Sequence, residues 1–93
     1  MFIVHVGMTV KAGQEQTIEK DYSGPFKEAI SAQEGFGGVS LLRPNDGGEY
    51  LLSIAFEDQA LQQKWVGTEL HGQVWPMMES HLAGYTVKTY TAV

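Results

Sequence analysis

Both tryptophans of the chain and two of its three histidines lie in one stretch, KWVGTELHGQVWPMMESH, at residues 64–81. On a helix, His71, Trp75 and Met78 recur at i, i+4 and i+7, so they share one face. A histidine ionises near neutral pH and can remove a proton from a phenol or an enol. Trp75 and Met78 would form an apolar, water-excluding wall beside that base, as a site for an aromatic compound requires. The alternative is that His71 lies at a helix edge and bonds only to backbone.

Two further side chains could contact such a compound. Trp65 stands in the last turn of a short predicted helix, where a tryptophan usually closes the core and hydrogen-bonds its N–H nearby. Tyr50 begins a predicted strand, and its hydroxyl would reach a ligand if that face of the strand meets the helices. Core packing is the alternative for both. We predict that His71 is catalytic, and that the substrate-binding residues are Trp65, Trp75, Met78 and Tyr50.

The remaining histidines and the single arginine have structural explanations. His5 lies on a strand face that we expect at a subunit interface, and His81 ends a helix, where a cation complements the helix dipole. The histidines show neither H-x3-H nor H-E-x-x-H spacing and the chain has no cysteine, so we predict no metal site. Arg43 is expected in an ion pair at the surface or in the dimer, with contact to an anionic substrate group as the alternative.

Length and charge limit the class of protein. The chain has 93 residues, and we expect a single domain spanning 1–93. Eleven acidic against six basic residues give a net charge of −5 with no basic cluster, so we expect no nucleic-acid partner. No apolar run approaches the roughly 20 residues that span a bilayer, and the N-terminus lacks signal-peptide features. We expect no membrane partner and a cytoplasmic location.

Hydrophobic periodicity predicts the elements that must hold these residues. Residues 2–10 alternate with period two, which predicts a strand with one strongly apolar face. From 18 to 30 the apolar residues share a helical face, which Pro25 is expected to kink or break. The sequence NDGG, at 45–48, predicts a hairpin between two further strands.

The second half of the chain completes the order. Asp58 and Thr68 are predicted to cap two consecutive helical segments. The last strand is predicted in AGYTVKTYTAV, which is rich in Thr, Tyr and Val. The resulting order is β-α-β-β-α-β, an α+β ferredoxin-like fold with a four-stranded antiparallel sheet and the helices on one face.

The third predicted strand is apolar on both faces. One face carries Tyr50, Leu52, Ile54 and Phe56, and the other carries Leu51 and Ala55. A sheet with one face in water would alternate apolar and polar side chains more cleanly. The chain has no element left to cover the second face, so we predict a homodimer formed sheet against sheet.

Four segments of the chain carry a resemblance to a known family: FIVHVGMTVKAGQEQ, QEGFGGVSLLRP, the hairpin into YLLSIAFED, and KWVGTELHGQVW. Together they resemble the antibiotic biosynthesis monooxygenases, which are dimeric α/β barrels with a pocket between sheet and helices in each subunit. Some members oxygenate phenols or hydroquinones with dioxygen and no metal or flavin. The resemblance therefore implies a monooxygenase that acts without a cofactor on a small phenolic or quinol-type compound.

The haem-degrading branch of that family is distinguished by an Asn on the first strand and by a Trp and a His in the second helix. Trp65 matches that tryptophan, whereas Val6 and Gly7 stand where the Asn would fall and Trp75 occupies the histidine position. His71 instead matches the histidine common in the oxygenase-like members. Haem degradation is therefore not expected. The alternative function is a ligand-binding or accessory protein that uses the same pocket without turnover.

Overall fold

The order of elements is the one predicted from the sequence. The computed structural model describes all 93 residues. One sheet contains the strands β1 (Phe2–Val10), β2 (Phe36–Leu42), β3 (Tyr50–Phe56) and β4 (Leu82–Thr91). The helices are α1 (Glu15–Asp21), α2 (Lys27–Ser31), α3 (Gln59–Val66) and α4 (Glu69–Glu79), and a π turn (Tyr22–Phe26) joins α1 to α2. The α+β ferredoxin-like fold is thereby confirmed.

The sheet is antiparallel throughout, in the order β2-β3-β1-β4, so β4 is an edge strand. Val6 of β1 lies opposite Leu52 of β3 and Val87 of β4. Because side chains alternate along a strand, this register aligns one apolar row across the face that meets the helices. Every second side chain of β3, from Tyr50 to Phe56, is buried there, which confirms the predicted inward face.

The opposite face of the sheet is covered by no element of this chain. Leu42 on that face is 51% exposed and its neighbour Leu51 is half-buried. Tyr90 of β4 lies on the same face and packs against the ring of His5, with 5.0 Å between ring centroids. Apolar surface is therefore left open on the side where the sequence predicted it.

Pro25 does not end the first helix. It lacks an N–H, and its ring would clash with the carbonyl of Asp21 in a regular α-helix. The wider π turn relieves that clash, and the N–H of Lys27 donates to the carbonyl of Tyr22, five residues earlier. The helical path therefore continues through the proline into α2.

The π turn also aligns the buried side of the two helices. Ile18 and Ile30 are both fully buried. In an unbroken α-helix these positions would point about 120° apart, because each residue turns the helix by about 100°. The one residue absorbed by the wide turn reduces that difference to about 20°. Both isoleucines can therefore enter the same core.

Helices α3 and α4 begin at the predicted caps. The Asp58 carboxylate accepts a hydrogen bond from the N–H of Leu61 at 2.9 Å, and the Thr68 hydroxyl accepts one from the N–H of His71 at 3.2 Å. Gly67 separates the helices. This break brings the end of α3 close to the start of α4.

The core is one cluster of sixteen buried residues, and every one of them is hydrophobic or aromatic. It fills the space between the inner face of the sheet and the helices. No helix of the structure combines the length and the hydropathy needed to cross a membrane.

Candidate active site

A cavity of about 210 Å³ lies between the sheet and the helices α3 and α4. Ten of its twelve lining residues are hydrophobic, and the other two are Gln62 and His71. The sheet contributes side chains from its helix-facing side: Val4, Val6, Leu52, Ile54, Tyr85 and Val87. The helices and the π turn contribute the others: Phe26, Gln62, Trp65, Val66, His71 and Trp75. The cavity is therefore an apolar slot with two polar side chains.

The cavity has a buried floor and an exposed rim. Leu52 and Trp65 are 0% and 2% exposed, whereas Val66 and Val87 are 46% and 58% exposed. Since Val66 ends α3 and Val87 belongs to β4, the opening lies between α3 and the edge strand. A ligand would enter the cavity there.

His71 is held in this cavity by its backbone and by an aromatic contact. Its N–H donates to Thr68, and its ring packs edge-on against Trp65 with 5.1 Å between centroids and 81° between planes. The structure shows hydrogen bonds to both ring nitrogens of His81, but none to a ring nitrogen of His71. The imidazole of His71 is thus free to bond to a ligand.

The surroundings of His71 favour the neutral imidazole. Burial lowers the pKa of His71 below its ordinary value of 6.5, because the charged form loses hydration. At neutral pH one ring nitrogen is therefore an acceptor, which is the state that a general base requires. The geometry permits the predicted role of His71 as a base.

Trp75 lies in the cavity wall one turn after His71. Its ring meets Tyr85 of β4 edge-on, with 5.3 Å between centroids and 83° between planes. Pro76, the next residue, lies inside α4 without turning Trp75 away from the cavity. The predicted set of His71, Trp65 and Trp75 is therefore brought together around one space.

Met78 is not part of this cavity. It is fully buried in the core and does not line the space around His71. Seven residues of α-helix advance about 10 Å, compared with about 6 Å for the four residues from His71 to Trp75. The shared helical face was predicted correctly, but Met78 lies too far along the helix, so its predicted contact with a substrate finds no support.

Tyr50 is also separated from the cavity. It is buried on the helix-facing side, as the sequence predicted, but it pairs with Met8 at the far end of β1. Its hydroxyl donates to the carboxylate of Glu19 at 2.5 Å. Glu19 also accepts two hydrogen bonds from Arg43, so of the two ion pairs expected for Arg43, surface or dimer, the structure shows one within the chain.

The charges beside Tyr50 satisfy one another. Hydrogen bonds from Arg43 and Tyr50 lower the pKa of Glu19 to about 2, so it stays ionised. A larger groove of about 660 Å³ lies there, but only two of its eleven lining residues are hydrophobic. We therefore place the candidate site at the smaller, apolar cavity, where the histidine is unpaired.

The other two histidines lie elsewhere. His5 is on the outer face of the sheet, as expected, and His81 bonds to Gln14 and Asp21 at 2.9 Å and 2.7 Å. The structure contains no group of three or more His, Asp or Glu side chains that could hold a metal ion.

Gln62 and Tyr85 line the cavity but are not among the predicted substrate-binding residues. Gln62 precedes Trp65 by three residues and therefore shares its helical face. Tyr85 alternates with Val87 on β4, opposite Met8 and Val6 of β1. Both positions could have been found from these spacings. Residue type alone does not indicate either position, because Gln62 is polar and β4 carries a tyrosine on each face.

Thr68 links the two helices at the cavity. Its hydroxyl donates to the carbonyl of Trp65 at 2.7 Å and accepts from the N–H of His71 at 3.2 Å. We expect Thr68→Val to lower the free energy of unfolding by about 1 kcal/mol, the typical cost of a lost helix cap. It should also raise the pKa of His71 toward its ordinary value, because the ring gains access to water. Urea unfolding and an NMR titration of the His71 ring measure the two effects.

Two variants control this experiment. Thr68→Ser keeps both hydrogen bonds and should titrate like the wild type. Asp58→Ala removes the equivalent cap of α3 at a similar cost in stability, but leaves Thr68 and His71 in contact. An unchanged His71 titration in Thr68→Val would contradict the positioning role of the threonine.

Comparison with protein families matches residues 1–74 to the family described as antibiotic biosynthesis monooxygenase. A sequence comparison with curated proteins found no match. The matched residues include the strands β1, β2 and β3, the helices α1, α2 and α3, and the start of α4 with His71. Strand β4 lies outside the match.

Solved structures share the fold over the whole chain. A Nitrosomonas europaea protein named for that family covers 100% of this chain and 99% of its own, at 14% identity and a TM-score of 0.85. SnoaB, a cofactor-independent oxygenase from Streptomyces nogalater, covers 98% and 92%, at 16% identity and a TM-score of 0.84. A MhuD variant with two manganese protoporphyrin IX molecules per active site covers 100% and 95%, at 20% identity and a TM-score of 0.78. At these identities the similarity shows a common fold.

Proposed function

Because the chain belongs to the antibiotic biosynthesis monooxygenase family, we propose that it oxygenates a small phenol or quinol with dioxygen and without a metal or flavin. The observation that carries this proposal is the state of His71. Its imidazole lines an apolar cavity, its pKa is lowered by burial, and no protein group occupies its ring nitrogens. The similar fold of SnoaB, which is named as a cofactor-independent oxygenase, supports the same reaction class.

In this proposal His71 first acts as a general base. The neutral imidazole accepts the hydroxyl proton of the phenol and becomes an imidazolium beside the phenolate. A phenolate gives up an electron far more readily than a phenol, so it can reduce dioxygen to superoxide and become a phenoxyl radical. The substrate itself is thus the reductant.

The later steps use the same proton. Superoxide and the radical combine at a ring carbon that carries hydrogen, which forms a C–O bond. The peroxide takes the proton back from the imidazolium of His71. The O–O bond then breaks as that carbon loses its hydrogen as a proton, so one oxygen stays as a quinone carbonyl and the other leaves as water. The phenol supplies all four electrons, and no other reductant is required.

The apolar walls suit this chemistry. Trp65 and Trp75 border the space beside His71 and limit the water that can reach it. Exclusion of water strengthens the interaction between the phenolate and the imidazolium, and it protects reactive intermediates from side reactions. Gln62, the second polar residue of the cavity, is suited to bind another oxygen of the substrate.

Oxygen uptake tests the function directly. Purified protein freed of metal and haem would be supplied with phenols, naphthols and quinols, and the rate compared with autoxidation of each compound alone. We expect uptake above that background, with one molecule of quinone formed for each molecule of dioxygen consumed. Stabilisation of the protein by these compounds without oxygen uptake would instead assign a binding function to the cavity.

We also propose that the chain forms a homodimer through the outer face of the sheet. Leu42 is exposed on that face, and Leu51 is only half-buried beside it. If a second copy covers this surface, Leu42→Ala removes buried apolar atoms from both subunits. We expect the dissociation constant of the dimer to rise at least about tenfold, which corresponds to about 1.4 kcal/mol.

Analytical ultracentrifugation over a range of concentrations measures this constant. Leu70→Ala is the matched control, because Leu70 is similarly exposed but lies on α4, away from the outer face of the sheet. Equal effects of the two substitutions, or no effect of either, would argue against the sheet face as the dimer interface.

A further inference from the structure

At about 210 Å³, the cavity is smaller than the pockets of about 300–1,000 Å³ that bind drug-sized ligands. We propose that the contact between Trp75 and Tyr85 limits the substrate to one aromatic ring or two fused rings. This inference rests on the proposed function only in taking the cavity as the substrate site. It concerns the size of the ligand, whether or not the ligand is oxidised.

The volume of the cavity gives the first argument. An engineered protein cavity of about 150 Å³ binds benzene, and pockets for drug-sized ligands measure about 300–1,000 Å³. The present cavity, at about 210 Å³, lies between these limits. It therefore suits a single substituted ring or two fused rings, but not an extended polycyclic compound.

The position of the two aromatic side chains gives the second argument. Trp75 belongs to α4 and Tyr85 to the edge strand β4, so their contact closes the gap between helix and sheet. Their centroids are 5.3 Å apart and their planes meet at 83°. A ring inserted between two side chains needs about 3.5 Å on each side, or about 7 Å in all. A longer ligand could extend in this direction only if the contact opened.

The polar groups define the rest of the ligand. Gln62 on α3 and His71 on α4 are the two lining residues that are not hydrophobic. The only other titratable side chain of the lining is Tyr85. We therefore expect a flat, mostly apolar compound with a hydroxyl for His71 and a second oxygen for Gln62.

Binding measured in the absence of oxygen tests this limit without requiring turnover. Phenol, naphthol, hydroxypyrene and protoporphyrin IX would be titrated by calorimetry under argon. In the wild type we expect naphthol to bind at least about tenfold more tightly than hydroxypyrene, within the range of discrimination that an apolar pocket achieves. Protoporphyrin IX should not bind in the cavity.

Variants of the aromatic pair provide the decisive comparison. Trp75→Ala and Tyr85→Ala should each gain affinity for hydroxypyrene, so that the preference for naphthol falls by about tenfold or more. Tyr85→Phe keeps the ring and should keep the limit. Leu70→Ala is the matched control, because Leu70 is 44% exposed, close to the 42% of Tyr85, but lies on α4 without lining the cavity or the outer face of the sheet.

Each outcome bears on one claim. Equal binding of two-ring and four-ring ligands by the wild type, or an identical change in Leu70→Ala, would overturn the size limit. Tyr85→Ala alters a side chain that is 42% exposed, so it keeps the test valid if Trp75→Ala does not fold. A size limit without oxygen uptake would leave this inference intact and remove the proposed oxygenation. Oxygen uptake without a size limit would do the reverse.

Discussion

In the His71→Ala variant, oxygen consumption with a phenolic substrate should fall about 10²–10⁴-fold in kcat/KM, the usual contribution of a positioned general base. The physical reason is that the phenol must lose its proton before it can reduce dioxygen. No other lining residue can accept that proton near neutral pH, since Gln62 does not ionise and Tyr85 is itself an acid. His81→Ala is the histidine control. His81 bonds to Gln14 and Asp21 outside the cavity, so activity should survive its loss.

The pH dependence of the wild type sharpens this prediction. Burial lowers the pKa of His71, so the neutral base persists below pH 6.5. We therefore expect kcat/KM to fall on the acid side as the imidazole takes up a proton, with the midpoint of that fall below pH 6.5. The residual activity of His71→Ala should lack this fall. The same acid limb in both proteins would show that another group is the base.

Trp65→Ala should lower the free energy of unfolding by about 3–5 kcal/mol. Trp65 is 2% exposed, packs edge-on against Phe26 at 6.3 Å, and forms the wall beside His71. A domain has only about 5–15 kcal/mol of stability in total, so this loss is a large fraction. Urea unfolding measures it. Trp65→Phe, which keeps an aromatic ring, should lose less.

The same variant should change how stability depends on pH. In the wild type the pKa of His71 is lower in the folded than in the unfolded state. The unfolded chain therefore binds the proton more readily, and the free energy of unfolding falls as the pH drops below about 6.5. In Trp65→Ala the imidazole of His71 becomes more accessible to water, so its pKa rises toward the ordinary value. The free energy of unfolding should therefore decrease less at low pH than in the wild type.

Unfolding measured at about pH 7.5 and about pH 5, on either side of the ordinary histidine pKa, tests the linkage. Phe56→Ala is the matched control. Phe56 is fully buried and packs against Phe36, but it does not line the cavity. It should lose similar stability and keep the pH dependence of the wild type. The same change of pH dependence in both variants would argue against contact between Trp65 and His71 as the cause.

The fold could be predicted from sequence because its signals are local. The alternation that buries Tyr50, Leu52, Ile54 and Phe56 belongs to one strand, and the hydroxyl and carboxylate caps of α3 and α4 act within three residues. Each such signal needs no knowledge of the other elements. Their sum, a β-α-β-β-α-β order, was enough to define the architecture.

The site could be predicted only in part, because a cavity depends on distances between elements. Spacing along α4 placed His71, Trp75 and Met78 on one face, but it could not show that the cavity ends before Met78, about one turn beyond Trp75. Alternation placed Tyr50 correctly inside, but its hydroxyl bonds to Glu19 of α1, a partner 31 residues away in the chain. Such long-range partners are not visible in a periodic pattern.

The wide turn at Tyr22–Phe26 has a consequence for how this chain can change in length. In a regular α-helix every added or removed residue rotates all that follows by about 100°, so length and orientation cannot vary separately. Here the π turn contains one residue more than an α-helical turn, and it could become α-helical if that residue were deleted. Deletion of Pro25 would therefore leave Ile18 and Ile30 facing the same core. Between His71 and Trp75 there is no π turn to compensate for a deletion, so removal of one residue there would turn the cavity wall away from the sheet. In related sequences, insertions and deletions should therefore be more frequent at the π turn after α1 than in α4.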